Sequence, residues 1–160
     1  LRIRNFDRQD FSRVIDIEME SFSEHNPYAY MYFYEMNPDG FFVAEEGGKI
    51  LGFVAGYPDE EGEGRVFTLA VRKGYRRKGI GSHLLGRILR KFRQSGIRYA
   101  KLEVRENNVG AIRMYRRMGF LPCGYEPEYY SDGEWALVMK KRLFPAYLAM
   151  PEVPYVDILP

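Results

Sequence analysis

The chain opens with an alternation of apolar and basic or polar positions from Leu1 to Phe6, which predicts a first strand. Asp7 then caps a helical stripe over Arg8 to Phe22, carried by Phe11, Val14, Ile15 and Ile17 to Met19. Ser23 to Pro38 is aromatic without a clean period and reads as a loop with a short helix. Phe41 to Glu45 and Lys49 to Tyr57 flank Gly47-Gly48, the pattern of a hairpin. Pro58 to Gly64 is acidic and loop-like, and Arg65 to Val71 is a strand. The clearest helix runs from Gly79 to Ser95. Ile80, Leu84, Leu85, Ile88, Leu89 and Phe92 share one face, Arg87, Arg90, Lys91 and Arg93 the other, and Gly96 ends it. Ile97 to Val104 is the next strand, Asn108 to Met118 a helix stopped by Gly119, and Phe120 to Tyr125 and Trp135 to Lys141 two final strands. This order predicts an α/β (α+β) domain over residues 1–142, a mixed sheet with helices on both faces. Residues 143–160 carry three prolines after Phe144-Pro145 and no period, and read as an appended tail, coiled or reaching a partner.

Composition narrows the classes. At 160 residues there is room for one ordinary domain, and 46 % hydrophobic with 29 % charged residues excludes a disordered or fibrous chain. No apolar run is long enough to span a membrane, and Leu1 to Arg4 lacks the apolar stretch of a signal peptide, so no membrane role and a cytoplasmic location are expected. The lone Cys123 cannot form an internal disulfide, which fits a reducing compartment, and with only His25 and His83 beside it a Cys/His zinc site is not expected. A net charge of +2 argues against a nucleic-acid partner. Thirteen tyrosines suggest a substrate groove that uses rings and hydroxyls.

Candidate chemistry begins where the strand ending at Val71 enters a basic, glycine-spaced turn that opens the strong helix. The first turn of a helix leaves backbone N–H groups unpaired at its positive end. Gly79 and Gly81 let an anion approach that backbone, and Arg76, Arg77 and Lys78 add full charges beside it, a pyrophosphate seat. A nucleoside-triphosphate loop would need a lysine where Ile80 stands, and a dinucleotide fingerprint a glycine where Leu84 stands.

The pattern that fits, Arg76-Arg77-Lys78-Gly79-Ile80-Gly81, resembles the coenzyme-A pyrophosphate loop of the GNAT N-acetyltransferases. Asn108, Ala111, Tyr115 and Gly119-Phe120 resemble the second motif of that family at the expected distance. The likeness is strong over residues ~65–140 and extends to the N-terminal third by element order. Leu102-Glu103-Val104-Arg105 and Tyr129-Tyr130-x-Asp132-Gly133-Glu134-x-Ala136 are most similar to N-terminal protein acetyltransferases, of the ribosomal-protein-alanine and archaeal alpha-amino types, with Trp135 departing from the acidic residue often found there. The resemblance implies a mostly antiparallel sheet of about seven strands, acetyl-CoA as cofactor, and a protein or peptide N-terminus as substrate. A monomer or homodimer is expected.

It also implies roles. Glu103 sits on the strand face of Lys101 and Arg105 and is the general-base candidate; the competing reading is an exposed carboxylate paired with Lys101 or Arg105. Tyr115 is the general-acid candidate beside the coenzyme sulfur, or else a packed tyrosine. Asn108 caps its helix and, by resemblance, touches the pantetheine arm; Leu69, Ala70 and Val71 offer backbone groups to it, and Ser82 completes the phosphate seat with Arg76 to Gly81. Glu24, Tyr28, Tyr30, Tyr129 and Tyr130 are candidate walls of the peptide groove. Acetylation of a lysine side chain or a small amine, a nucleic-acid module built on the basic helix face, and coenzyme binding without turnover are the competing readings.

Overall fold

Described for residues 1–144 by a computed structural model, the chain forms one seven-stranded sheet. Its strands are β1 (Arg2–Asn5), β2 (Phe41–Glu46), β3 (Lys49–Pro58), β4 (Gly64–Val71), β5 (Tyr99–Arg105), β6 (Leu121–Glu126) and β7 (Ala136–Arg142). They lie in the order β1-β2-β3-β4-β5-β7-β6. Every pairing is antiparallel except β4 with β5. The sequence expectation of a mostly antiparallel sheet of about seven strands is met. The tail expected over 143–160 lies, from residue 145 on, outside the described residues.

Four helices cover the sheet: α1 (Phe11–Ser21), α2 (Pro27–Met36), α3 (Ile80–Gln94) and α4 (Val109–Arg117). Strand alternation sorts the core between its two faces. Phe42, Ala44, Leu51 and Val54 pack with Leu84, Leu85, Ile88, Leu89 and Phe92 of α3 and Tyr115 of α4. Phe41, Val43, Ile50, Phe53 and Ala55 pack with Val14 and Ile17 of α1 and Tyr30 and Phe33 of α2. Because both faces are covered, β2 and β3 are apolar along nearly their whole length. Burying each large α3 side chain contributes about 1.5–3 kcal/mol, which makes this helix the firmest support of the turn before it.

Two elements differ from expectation. Asp7 caps a short 3-10 turn, Arg8–Asp10, and the α-helix begins only at Phe11. Asp10 ends that turn: its carboxylate accepts the Asp7 N–H at 2.8 Å and both arms of the Arg4 guanidinium at 2.8 and 2.9 Å. Burial works against the Asp10 carboxylate, but the Arg4 and Asp7 hydrogen bonds outweigh it and hold its pKa below the usual range. The aromatic stretch read as a loop with a short helix does hold a helix, the ten-residue α2, and it takes up most of the stretch. Its four tyrosines and Phe33 circle the helix, so there is no stripe to see; the available signals are Asn26, whose side chain accepts the Ala29 N–H, and Pro27 in the first turn.

Candidate active site

The site grows out of one irregularity in the sheet. Between β3 and β4 the register shifts, with Ala55 opposite Thr68 and Gly56 opposite Val66, which leaves Phe67 as an extra residue. β4 bends there. It pairs with β5 only at Gly64↔Ala100 and Arg65↔Lys101, and beyond that the two parallel strands part. The part of β4 that carries Leu69, Ala70 and Val71 is therefore unpaired toward β5, and its backbone groups line a cleft of about 680 Å³. Asn108, Ala111, Met114 and Tyr115 of the α4 segment form the opposite wall, and Arg76, Arg77, Gly79, Ile80, Gly81 and Ser82 close one end.

That end is shaped to receive an anion. Arg77 and Gly79 adopt positive φ, 62° and 84°, and Gly79 is the N-cap of α3, whose first-turn residues Ile80, Gly81 and Ser82 line the cleft. A Cβ on Gly81 would sit 3.2 Å from the Met114 sulfur and 3.7 Å from Val71, so a side chain there would fill the seat. Arg76 turns inward, donating to the Val71 carbonyl at 2.9 Å and to Ser21 Oγ at 3.3 Å, and so braces the turn. Lys78 lies 5.5 Å from the Tyr75 ring centroid. Among the described residues neither Arg77 nor Lys78 has a carboxylate partner, so both remain available to phosphates. Asn108 caps α4 by accepting the Ala111 N–H at 3.2 Å and lines the cleft at the same time. The cleft, its cationic end and its missing side chains fit a coenzyme-A group.

Tyr115 is buried against Phe120, ring centroids 5.9 Å apart, and among the described residues its hydroxyl has no hydrogen bond. Burial, with Tyr130 nearby, drives its pKa up, so the phenol keeps its proton throughout the physiological range. Glu103 is not the exposed carboxylate of the competing reading. Its side chain is 11 % exposed and its partner is Arg65, with Nη2 at 3.2 Å from Oε2. Lys101 and Arg105 lie on the same face of β5 but neither pairs with it; Arg105 is committed elsewhere.

Arg105 gathers several side chains at the end of β5. It makes ion pairs of 2.8 Å with Asp132 and Glu134, donates to Ser23 Oγ at 3.1 Å, and stacks over the Tyr130 ring at 4.0 Å. Tyr129 and Tyr130 meet edge to face. Burial, reinforced by Tyr129, pushes the Tyr130 phenol up to about 12. Glu24 accepts from Ser131 N at 2.7 Å and from the Ser131 hydroxyl, and those bonds hold its pKa below the usual range. His25 faces both oxygens of the buried Glu18 at 3.0 and 3.2 Å. Three consecutive residues, Ser23 to His25, thus fasten the α1–α2 loop to three different partners, two of them across the end of β5.

Of the five groove candidates, the structure brings together Glu24, Tyr129 and Tyr130. Tyr28 is 83 % exposed. Tyr30 turns into the aromatic core against Phe53 and Phe67, and burial pushes its phenol up to about 12. Sequence reasoning passed over Arg65, Arg105, Ser23 and Ser131. Arg105 could have been suspected, since Asp132 and Glu134 flank a turn glycine and need a cation; Arg65 carries no such signal.

Comparisons with known proteins show the family to which this fold belongs. The chain is 39 % identical over 142 residues to an uncharacterized N-acetyltransferase of Methanocaldococcus jannaschii, covering 88 % of this chain and 90 % of that protein. It is 32 % identical over 155 residues to an N-alpha-acetyltransferase of Sulfurisphaera tokodaii, covering 89 % and 93 %. The crystal structure of Ard1 from Thermoplasma volcanium superposes with a TM-score of 0.86 at 31 % identity, over 90 % of this chain and 98 % of that one. Residues 11–120 match the acetyltransferase (GNAT) family, and the chain is an acetyl-CoA-dependent member of it.

Proposed function

We propose that this protein transfers the acetyl group of acetyl-CoA to the α-amino group of a protein or peptide N-terminus by direct attack, with Glu103 as general base and Tyr115 as general acid. The observation that carries the reading is the fastening of the α1–α2 loop to the β6–β7 loop through Glu24–Ser131, and to Arg105 at the end of β5 through Ser23, two residues along the strand from Glu103. Two loops tied in this way make a groove with tyrosine walls, suited to an extended chain end. The N-alpha-acetyltransferase of Sulfurisphaera tokodaii supports the same acceptor.

The magnitudes suit an α-amine. With a pKa of about 8, roughly a tenth of it is neutral at pH 7, against well under a thousandth for a lysine. One carboxylate acting through a water is enough help for such an amine. The thioester supplies the acetyl group. Leu69, Ala70 and Val71 present the unpaired strand edge that holds it and offer an N–H toward the acyl oxygen. Glu103 removes the proton of the incoming amine, and the Tyr115 hydroxyl delivers one to the departing sulfur.

Mass spectrometry of a peptide library incubated with acetyl-CoA, each peptide carrying a free N-terminus and an internal lysine, tests the acceptor. α-Acetylation is the expected product; mainly ε-acetylated peptide, or acetylation confined to small amines, would overturn the assignment.

A further inference from the structure

Arg65 stands at the fork of the cleft, level with the last β4–β5 pair before the strands part. Its guanidinium touches every element that meets there. Nη2 lies 3.2 Å from Glu103 Oε2 on β5 and donates to the Tyr129 hydroxyl at 2.8 Å in the β6–β7 loop. Nη1 reaches the Tyr57 hydroxyl on β3 at 3.4 Å. Nε is buried without a partner, so the side chain is held by its two terminal nitrogens.

We infer that Arg65 is a positioning residue: one guanidinium fixes the Glu103 carboxylate and the Tyr129 hydroxyl relative to each other, so that the proton acceptor and the groove wall are set together. The inference rests on the reading of Glu103 as base. Three physical points support it. A guanidinium is a rigid planar fork, so fixing two of its arms orients whatever it holds, which the single point charge of lysine cannot do. Glu103 is nearly buried, and among the described residues Arg65 is its ion-pair partner, so without it the carboxylate has no reason to keep this rotamer. Tyr129 is 43 % exposed, which leaves its ring to the peptide while its hydroxyl is tethered from below.

The test is a double-mutant cycle on the intact chain, read by steady-state kinetics with acetyl-CoA and a peptide substrate, using R65M, E103Q and the pair. R65M lowers kcat/KM for the peptide by roughly 10–100-fold, the cost of a misplaced reacting group. The KM for acetyl-CoA stays within about twofold, because that seat lies at the other end of the cleft. In the E103Q background R65M costs less than about threefold, since the group it positions has lost its function. R65K recovers part of kcat, having a charge for Glu103 but no planar fork to hold the Tyr57 and Tyr129 hydroxyls as well. An equal R65M loss in both backgrounds, or no loss in either, overturns the inference while leaving the base assignment intact. Full activity of E103Q overturns the base assignment and the inference with it. Where R65M does not fold, R65Q carries the same comparison.

Discussion

Replacing Glu103 by glutamine removes a proton acceptor while keeping the shape, the burial and an oxygen that still faces Arg65. The size of the effect can be worked from the site. Oε2 faces Arg65 at 3.2 Å, and among the described residues Oε1 has no hydrogen bond, so it is free to hold a water. Generating the neutral form of an amine of pKa about 8 at pH 7 accounts for about tenfold in rate, or ~1.4 kcal/mol. Accepting the proton within the attack raises the total toward the ~10²–10⁴-fold of a positioned base. A carboxylate is a weak base beside such an amine, so the lower end applies: kcat for E103Q falls by about 10²-fold at pH 7, or ~2.7 kcal/mol. Initial rates against a peptide substrate from pH 6 to 9, with coenzyme-A affinity by titration calorimetry, measure this. The deficit narrows toward pH 9, where most of the amine is neutral already, and coenzyme affinity stays within about twofold of the parent. Equal kcat for E103Q and the parent at pH 7 would refute the reasoning.

Other consequences are equally concrete. Y115F lowers kcat by about 10–100-fold with coenzyme-A affinity preserved, because the ring still packs on Phe120 and only the donor is gone; full turnover in stopped-flow thiol release would assign Tyr115 to packing alone. G79A forces an alanine into the left-handed region at φ 84°, which costs about 1–2 kcal/mol, and the loop relaxes by losing the phosphate seat; calorimetry shows coenzyme affinity weakened about tenfold, and an unchanged value would detach Gly79 from the seat. D10N destabilises the fold at pH 7 by about 1–3 kcal/mol, read by thermal denaturation, because Arg4 loses one of its two charged acceptors, the one that both terminal nitrogens reach, and keeps only Glu45. The folded pKa of Asp10 lies below its unfolded value, so its stabilisation is complete above the unfolded pKa and is lost as pH falls through the folded one. The gap between D10N and the parent therefore closes in acid; a gap independent of pH would place the effect elsewhere.

What could be read beforehand follows from what is local. The α3 stripe, the Gly47-Gly48 hairpin and the turn from Arg76 to Gly81 are each written in adjacent residues, and each stands where the spacing put it. α2 was harder, because its rings are buried on one side and exposed on the other without a polar stripe to mark the boundary. The cleft itself is tertiary: it exists because β4 carries one extra residue relative to β3, and no residue type near Phe67 announces a bulge. The same holds for Glu103. Alternation on β5 gave the face it points to, with Lys101 and Arg105 as the visible cations, but strand pairing brought Arg65 from β4 instead. Tyr28 and Tyr30 show the limit of composition, since neighbouring tyrosines went one to solvent and one to the core.

A crystal structure of the protein with a coenzyme-A–peptide conjugate, in which the peptide nitrogen is joined to the sulfur through an acetyl bridge, interrogates both proton handlers at once. The mechanism predicts the Tyr115 hydroxyl at hydrogen-bond distance from the sulfur and the Glu103 carboxylate linked to the nitrogen directly or by one water, roughly 2.6–3.2 Å per contact. A conjugate whose sulfur and nitrogen lie out of reach of both side chains, or whose diphosphate leaves the amides after Gly79 unused, would contradict it.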